Sequence, residues 1–518
     1  MFESSLIFVC LVLPGLIWTP VYGEYYSSID KMQLLGQVEG ELVSATDDYL
    51  MKGQKQLDML RSFVNRVKTE HAITRLQLEQ HEEYLDQPLQ AFRLIKRLVV
   101  DWAEVSELLA AHQAKDEYRT TVDEMIKYPG LPNQEELQGA VKGLERLQHV
   151  YNLTANELVD RVSNSIQADS SSLWKDCFEI GVQLYELAKY QGALEWLQLA
   201  SSLLEDVDGE NARRMAAEVY EYLALTYIAL GQKERAVEVL KELLSWFSPT
   251  TPHPARYILD SLEYNMPKSP KESTESALFA NFSRLCQGKR LPEPDSGSES
   301  LRCYLDFDRH PRFKLSPLKV EQVHLNPDIN MYYDVLNDAQ INAVIEQSDQ
   351  FDSFRSMVVG NVVTDTRVSQ QVWQNYTSYI IKSLANIVGA ISGFDMQNAE
   401  EMQIANYGIG GQYAAHFDYF SKLPDRYILG GDRISTNMFY LSDVQQGGYT
   451  VFPKLNVFVK PVKGALVNWF NLHRSLAQDN RSLHAGCPVL EGSKRIGNIW
   501  IHSAHQEFRR PCSLNSNE

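Results

Sequence analysis

Residues 402–418 read MQIANYGIGGQYAAHFD. The first six form a strand-like run, Gly408, Gly410 and Gly411 punctuate a turn, and the stretch beyond it ends in His416-Phe417-Asp418. Residues i and i+2 of an extended segment point to the same side, so the His416 imidazole and the Asp418 carboxylate converge on one cation. Alone the triplet is a weak signal. The chain holds 12 histidines, and a solvated loop histidine beside a turn aspartate reads identically.

Residues further along add weight. Gly447-Gly448-Tyr449-Thr450-Val451-Phe452-Pro453 follows, then His484, 68 residues beyond His416 and just ahead of Cys487-Pro488-Val489-Leu490, and then Lys494, ten residues later. Two imidazoles and one carboxylate make the facial triad that holds non-haem Fe(II) with positions left open; zinc hydrolases use the same donors. Lys494, on a strand after the distal histidine, is placed to meet a carboxylate. Short β-rich runs surround these residues: Met402 to Tyr407, Ile434 to Leu441, Tyr449 to Phe452, Asn456 to Val459, Ala465 to Phe470 and Asn498 to His502. Beyond about Pro317 they predict a double-stranded β-helix, an antiparallel jelly roll of two sheets.

Upstream the period changes to that of helices. Leu35, Val38, Leu42, Ala45, Tyr49, Leu57, Leu60, Val64 and Val67 recur by threes and fours with one gap at Gly53, which predicts a long coiled-coil-like helix, paired with a second copy or packed on its own domain. From Leu173 to Leu204 and from Met215 to Leu244 two helix pairs repeat: Gly181, Ala193 and Ala200 correspond to Ala224, Ala236 and Leu243. This spacing resembles tetratricopeptide hairpins, where small residues let paired helices approach. Tyr185, Tyr190, Tyr220 and Tyr222 are candidates to line a groove for a polyproline II peptide, or simply to fill helix packing. The fold class is therefore multidomain α+β, an all-α N-terminal half followed by the jelly roll.

Composition bounds the partners. The 518 residues, 44% of them hydrophobic and 22% charged, are enough for about three folded domains. Lys plus Arg total 49 against 67 Asp plus Glu, a net charge of −18, which argues against nucleic acid and anionic membranes. Leu6 to Trp18 is almost wholly apolar, and small residues near Gly23 suit cleavage of a signal peptide, although Glu3 stands where basic residues are usual; a buried N-terminal helix is the alternative. No other run reaches the roughly 18 apolar residues of a membrane span. In an oxidising compartment the neighbouring cysteines pair as Cys286 with Cys303 and Cys487 with Cys512, leaving Cys177 free; five buried thiols are the alternative. Sequons at Asn152, Asn281, Asn375 and Asn480 fit that compartment.

The set H-x-D, distal H and following K is similar to the 2-oxoglutarate dioxygenases of the prolyl 4-hydroxylase type, specifically the catalytic α subunits of collagen prolyl 4-hydroxylase. The resemblance extends over nearly the whole chain, through Tyr26-Ser27-Ser28-Ile29, residues 88–98, Leu144-Glu145-Arg146-Leu147-Gln148 and residues 506–512. It implies a signal peptide over 1–23, a helical N-terminal and dimerisation domain over 24–165, a tetratricopeptide-like peptide-substrate-binding domain over 166–250, a linker with a disulfide loop over 251–316 and the dioxygenase domain over 317–518.

By the same resemblance His416, Asp418 and His484 are the ligands of Fe(II) and Lys494 the partner of the far carboxylate of 2-oxoglutarate. Tyr407, Thr450 and His502 lie at the co-substrate, Tyr413, Arg433 and Trp500 face the peptide proline, and Tyr185 and Tyr222 sit in the groove. L-Ascorbate rescues oxidised iron. The implied activity is hydroxylation of proline at C4 in X-Pro-Gly repeats of procollagen or another proline-rich peptide, in the endoplasmic reticulum lumen. The implied partner is protein disulfide isomerase in an α₂β₂ tetramer, needed for retention because Asn515-Ser516-Asn517-Glu518 carries no retrieval signal. Leu225 and Ile228 depart from the tyrosines expected in the groove, and Asn437-Met438 and Asn468-Trp469-Phe470 depart around the barrel. Two other readings stay open: a non-catalytic or divergent paralogue with the same fold, and a zinc hydrolase indifferent to O₂. A lysyl hydroxylase is disfavoured, since arginine is expected at the position of Lys494.

Overall fold

The computed structural model describes residues 26, 29–50, 57–80, 87–103, 105–106, 132–163, 170–204, 210–262, 276–291, 301–351, 354–356, 366–424 and 428–515; the expected signal peptide lies outside them. The apolar seam runs over two helices, Ile29–Leu50 and Leu57–Gln80. Leu42, Val43, Leu60, Phe63, Val64 and Val67 form one buried cluster with Trp102 and Val105, so the seam packs within its own chain.

Helix Gln134–Tyr151 joins the two halves. The Asn133 side chain caps it, accepting from the backbone N–H of Glu135 and Glu136, and Asn152 ends it in the left-handed conformation. Leu137, Ala140, Val141, Leu144 and Leu147 recur at helical spacing and are fully buried. Helices Ser170–Glu186, Tyr190–Leu204, Glu210–Ala229 and Lys233–Ser245 follow as two hairpins. Gly181 is required there: a Cβ on it would lie 2.6 Å from Leu197 Cγ. The segment expected to be a linker carries helices Pro254–Leu262 and Ala277–Cys286 and the strand Cys303–Asp306.

The C-terminal half holds a nine-stranded antiparallel sheet in the order Cys303–Asp306, Leu318–Leu325, Asp328–Tyr333, Leu466–Phe470, Arg433–Tyr440, Lys494–His502, Met402–Tyr407, Gln370–Gln374, Phe354–Arg355. Helices Asp338–Ser348 and Tyr379–Ser392 cover one face, packing Ile341, Val344, Ile381, Leu384 and Val388 onto Ile404, Phe439, Leu466, Ile499 and Ile501. The other face meets a four-stranded sheet, Val457–Val459, Thr450–Phe452, His484–Gly486 and Tyr413–His416. Strand periodicity decides what enters the space between the sheets. Along the strand Lys494–His502, residues 494, 496, 498 and 500 point into it, while Ile499 and Ile501 point to the helices.

The halves share a core. Val368, Ile409 and Leu490 of the β region are buried in the helical cluster. Arg146 Nη1 donates to Gly410 O at 2.6 Å, Tyr151 Oη to Pro488 O at 2.6 Å, and Ile409 N to Tyr26 O at 3.0 Å. Gly410 sits at φ +56° with its Cα face against Gly143, where a Cβ would be 2.6 Å from the Gly143 carbonyl oxygen.

The expected disulfides need correction. Cys286 is bonded to Cys487, 201 residues away, and not to Cys303; Cys487 is therefore not paired with Cys512. Cys303 and Cys512 are exposed free thiols, and Cys177 is free and buried. The cause is packing. Phe282, Leu285 and Cys286, at the end of helix Ala277–Cys286, bury against Val451, Ala485 and Cys487 in one cluster, which aligns the two sulfurs across the domain boundary.

Candidate metal centre and active site

Between the sheets lies a cavity enclosing about 390 Å³, its open mouth included, lined by residues of both layers. His416 and His484 meet there because strands Tyr413–His416 and His484–Gly486 pair in a register that sets them directly opposite. Their ring centroids are 4.3 Å apart. Asp418 Oδ1 is 3.7 Å from His416 Nε2 and Oδ2 is 3.5 Å from His484 Nε2, and one ligand atom from each of the three lies within 4.8 Å of the others. Donors bound at about 2.1 Å to a common ion stand at most about 4.2 Å apart, so the set fits a single cation after small adjustments.

The protonation states fit as well. His416 Nδ1 faces Ala414 O at 2.8 Å and His484 Nδ1 faces Ser482 O at 2.9 Å. A carbonyl oxygen only accepts, so both rings carry their proton on Nδ1 and offer the Nε2 lone pair. Burial, with His484 beside it, holds His416 down at about 3, in the neutral form that a metal requires. For Asp418 burial opposes the charge, but His484, His416, Arg433 and the Thr436 hydrogen bond outweigh it and hold the carboxyl at about 2.

Lys494 enters the same cavity from the large sheet, opposite Tyr407 in register. Its Nζ lies 3.3 Å from Thr450 Oγ1, which also hydrogen-bonds Tyr440 Oη at 2.9 Å. Burial alone takes the ammonium down to about 7. Among the described residues no carboxylate forms an ion pair with it. A buried lysine without an anion, in the same cavity as a cation site, suits a ligand that brings its own carboxylate.

Three segments match known families: residues 28–164 the prolyl 4-hydroxylase alpha-subunit N-terminal region, 174–260 the prolyl 4-hydroxylase peptide-substrate-binding domain, and 402–502 the 2OG-Fe(II) oxygenase superfamily. The chain is 32% identical to prolyl 4-hydroxylase subunit alpha-1 of Mus musculus, across 95% of this chain and 96% of that one. Identity to the Gallus gallus subunit alpha-1 is 33%, across 96% and 100%, and to Gallus gallus subunit alpha-2 30%, across 97% and 98%. The chain belongs to the prolyl 4-hydroxylase α-subunit family. Like the superfamily that residues 402–502 match, this α subunit is a 2-oxoglutarate-dependent dioxygenase that uses Fe(II) and 2-oxoglutarate.

The remaining residues singled out in this α subunit divide into two groups. Tyr407, Tyr413, Thr450 and Trp500 line the cavity, and Tyr413 stacks on His416 with centroids 3.5 Å apart. Arg433 and His502 are outside the lining. Both grip Glu400: Arg433 Nη2 donates to Oε2 at 2.8 Å, and His502 Nε2 is 2.8 Å from Oε1. Burial works against the Glu400 charge, but these bonds take its carboxyl to about 2. The Arg433 guanidinium lies over Trp500, 4.1 Å from the ring centroid, so it supports the cavity wall from behind. Sequence reading missed Glu400, because a single buried acid has no motif.

In the helical half Tyr185, Tyr190 and Tyr222 form a half-buried aromatic cluster, with Tyr185 5.5 Å from Tyr190 and 5.7 Å from Tyr222. Tyr220 is elsewhere, packed on Trp246 and hydrogen-bonded to Glu242. Two residues along a helix is about 200° of rotation, which is why Tyr220 and Tyr222 cannot line one groove together.

Proposed function

We propose that this α subunit hydroxylates proline at C4 in X-Pro-Gly sequences of procollagen, as a procollagen-proline 4-dioxygenase. The observation that carries the reading is the convergence of His416, Asp418 and His484 with Lys494 in one cavity. Bound Fe(II) and 2-oxoglutarate supply the oxidising chemistry, in which O₂ is consumed, the co-substrate is decarboxylated to succinate and CO₂, and one oxygen atom reaches the proline. His416 and His484 hold the metal through Nε2 and Asp418 through its carboxylate. Lys494 takes the far carboxylate of the co-substrate in a pocket where water is excluded and the attraction is strong, with Thr450 and Tyr407 completing that end. Tyr413 and Trp500 flank the proline. Arg433, held by Glu400, backs Trp500 directly, and His502 acts on that wall by fixing Glu400. L-Ascorbate keeps the iron ferrous.

The aromatic cluster of Tyr185, Tyr190 and Tyr222 supports binding of a polyproline II peptide by the helical hairpins. Succinate release from a (Pro-Pro-Gly) repeat peptide with Fe(II), 2-oxoglutarate and ascorbate tests the whole reading; peptide binding without decarboxylation overturns it in favour of a non-catalytic subunit. One observation favours a different proline-rich substrate: Leu225, one helical turn beyond Tyr222, and Ile228 are aliphatic and only half-buried. Mass spectrometry of peptides hydroxylated by the purified enzyme decides which substrate it is. The apolar leader at Leu6 to Trp18 supports residence in the endoplasmic reticulum lumen, with protein disulfide isomerase as the retaining partner in an α₂β₂ tetramer. Co-purification of that partner with the tagged α subunit checks the assembly.

A further inference from the structure

A carboxylate that serves a cation through one oxygen needs its other oxygen held. Asp418 Oδ2 is 2.6 Å from Thr436 Oγ1, and that oxygen is 2.8 Å from Asn471 Nδ2. The carboxylate only accepts and the amide nitrogen only donates, so both directions are fixed: Asn471 donates to Thr436, and Thr436 donates to Asp418. All three side chains are buried. Asn471 is anchored by its own backbone, its N–H donating to Ile434 O at 3.0 Å and its carbonyl accepting from Asp479 N at 3.0 Å. Its Oδ1 is buried and has no hydrogen-bond partner among the described residues, so the relay is what orients the amide.

The three residues come from separate places: Asp418 follows strand Tyr413–His416, Thr436 lies mid-strand in Arg433–Tyr440, and Asn471 follows strand Leu466–Phe470. The relay thus ties the third ligand, which stands beyond the end of its strand, to the central strand of the large sheet and to the end of the strand beside it. Arg433 Nη1 also donates to the Asp418 backbone oxygen, at 3.3 Å, so the relay is what bears on the carboxylate itself.

We propose that Thr436 and Asn471 are positioning residues for the metal, a two-step hydrogen-bond relay that pins Asp418 Oδ2 and turns Oδ1 toward the cation. The inference rests on the triad being the metal site. Hydrogen-bond partners of ligands are worth about 10–100-fold in metal affinity, and that is the loss expected for Thr436→Val. Asn471→Leu should lose several-fold, and the double variant no more than Thr436→Val alone, because both act through one bond.

The test is anaerobic titration of the full chain, in the complex in which it purifies, with Fe(II), and with Co(II) to read the ligand-field spectrum. Thr436→Ser keeps the hydroxyl and should bind as tightly as the unaltered protein with the same Co(II) spectrum. Equal affinity in Thr436→Val overturns the relay, as does a loss in Thr436→Ser as large as that in Thr436→Val. Strictly additive losses in the double variant also overturn it. Failure of the unaltered protein to bind either metal, or metal binding that survives Asp418→Ala, sinks the triad reading instead. The melting temperature of each metal-free variant separates lost folding from lost ligation: a large loss of affinity with an unchanged metal-free melting temperature supports the relay.

Discussion

Lys494 is a cation kept waiting. Its folded pKa of about 7 lies below the ordinary lysine value because burial removes water and, among the described residues, no carboxylate pairs with it. The sign of the pH dependence follows. The unfolded lysine binds a proton up to its ordinary value near 10.4, so this group's contribution to stability is fully present above about pH 10, falls as pH drops from about 10 to about 7, and changes no further below that. A bound dicarboxylate reverses the shift. At pH 8 the free protein holds Lys494 mostly neutral, and 2-oxoglutarate binding should take up close to one proton, with affinity falling up to about tenfold per pH unit above 7. Calorimetry in buffers of different ionisation enthalpy measures that uptake, and zero uptake removes Lys494 from the co-substrate. Lys494→Ala should raise the 2-oxoglutarate requirement far more than it weakens metal binding.

At this scale the triad and Lys494 were legible because each carries donor chemistry at a recognisable spacing. The relay through Thr436 and Asn471 and the grip of Glu400 on Arg433 and His502 were not. Glu400 lies 33 residues from Arg433 and 102 from His502, and nothing in their local sequence predicts that meeting.

Among the elements, the jelly-roll strands were the most readable. The runs Met402 to Tyr407 and Ala465 to Phe470 came within a residue of strands Met402–Tyr407 and Leu466–Phe470, since each is apolar, bounded by glycine or polar residues, and too short for a helix. The backing helices Asp338–Ser348 and Tyr379–Ser392 went unread. The seam, read as one long helix with a gap at Gly53, falls on helices Ile29–Leu50 and Leu57–Gln80, and Gly53 itself lies outside the described residues. The helical hairpins were read through their small residues, and Gly181 bears the sharpest prediction. Gly181→Val places two methyls where Leu197 already stands and should cost roughly 1–3 kcal/mol. The melting temperature should fall and binding of a proline-rich peptide weaken, while metal binding at the triad is unchanged. Peptide affinity equal to that of the unaltered protein would place the peptide away from this helix pair.

For the whole molecule, the Cys286–Cys487 bond shows why cysteine spacing misled. Connectivity is set by which elements pack, and nearness in the chain favours only the cheapest loop. A bridge spanning 201 residues stabilises by about 5 kcal/mol in the chain-entropy model, more than either short loop would. Non-reducing peptide mapping should find Cys286 joined to Cys487, with Cys303 and Cys512 open to alkylation; a Cys286–Cys303 peptide would refute the pairing. The shared core leads to a second expectation. Residues 317–518 expressed alone lose the cover over Val368, Ile409 and Leu490, so this piece should aggregate or melt well below the full chain. An isolated piece as stable as its parent would show the interface to be dispensable.

The lean of Gly410 on Gly143 reaches into genetics. A substitution at Gly143, hundreds of residues from any iron ligand, brings a Cβ to 3.0 Å from Ile409 O and should displace the turn that feeds His416 and Asp418 into place. Such an allele will be scored in an assay as a dead enzyme although every catalytic side chain is intact, and only a folding measurement will tell the two kinds of lesion apart.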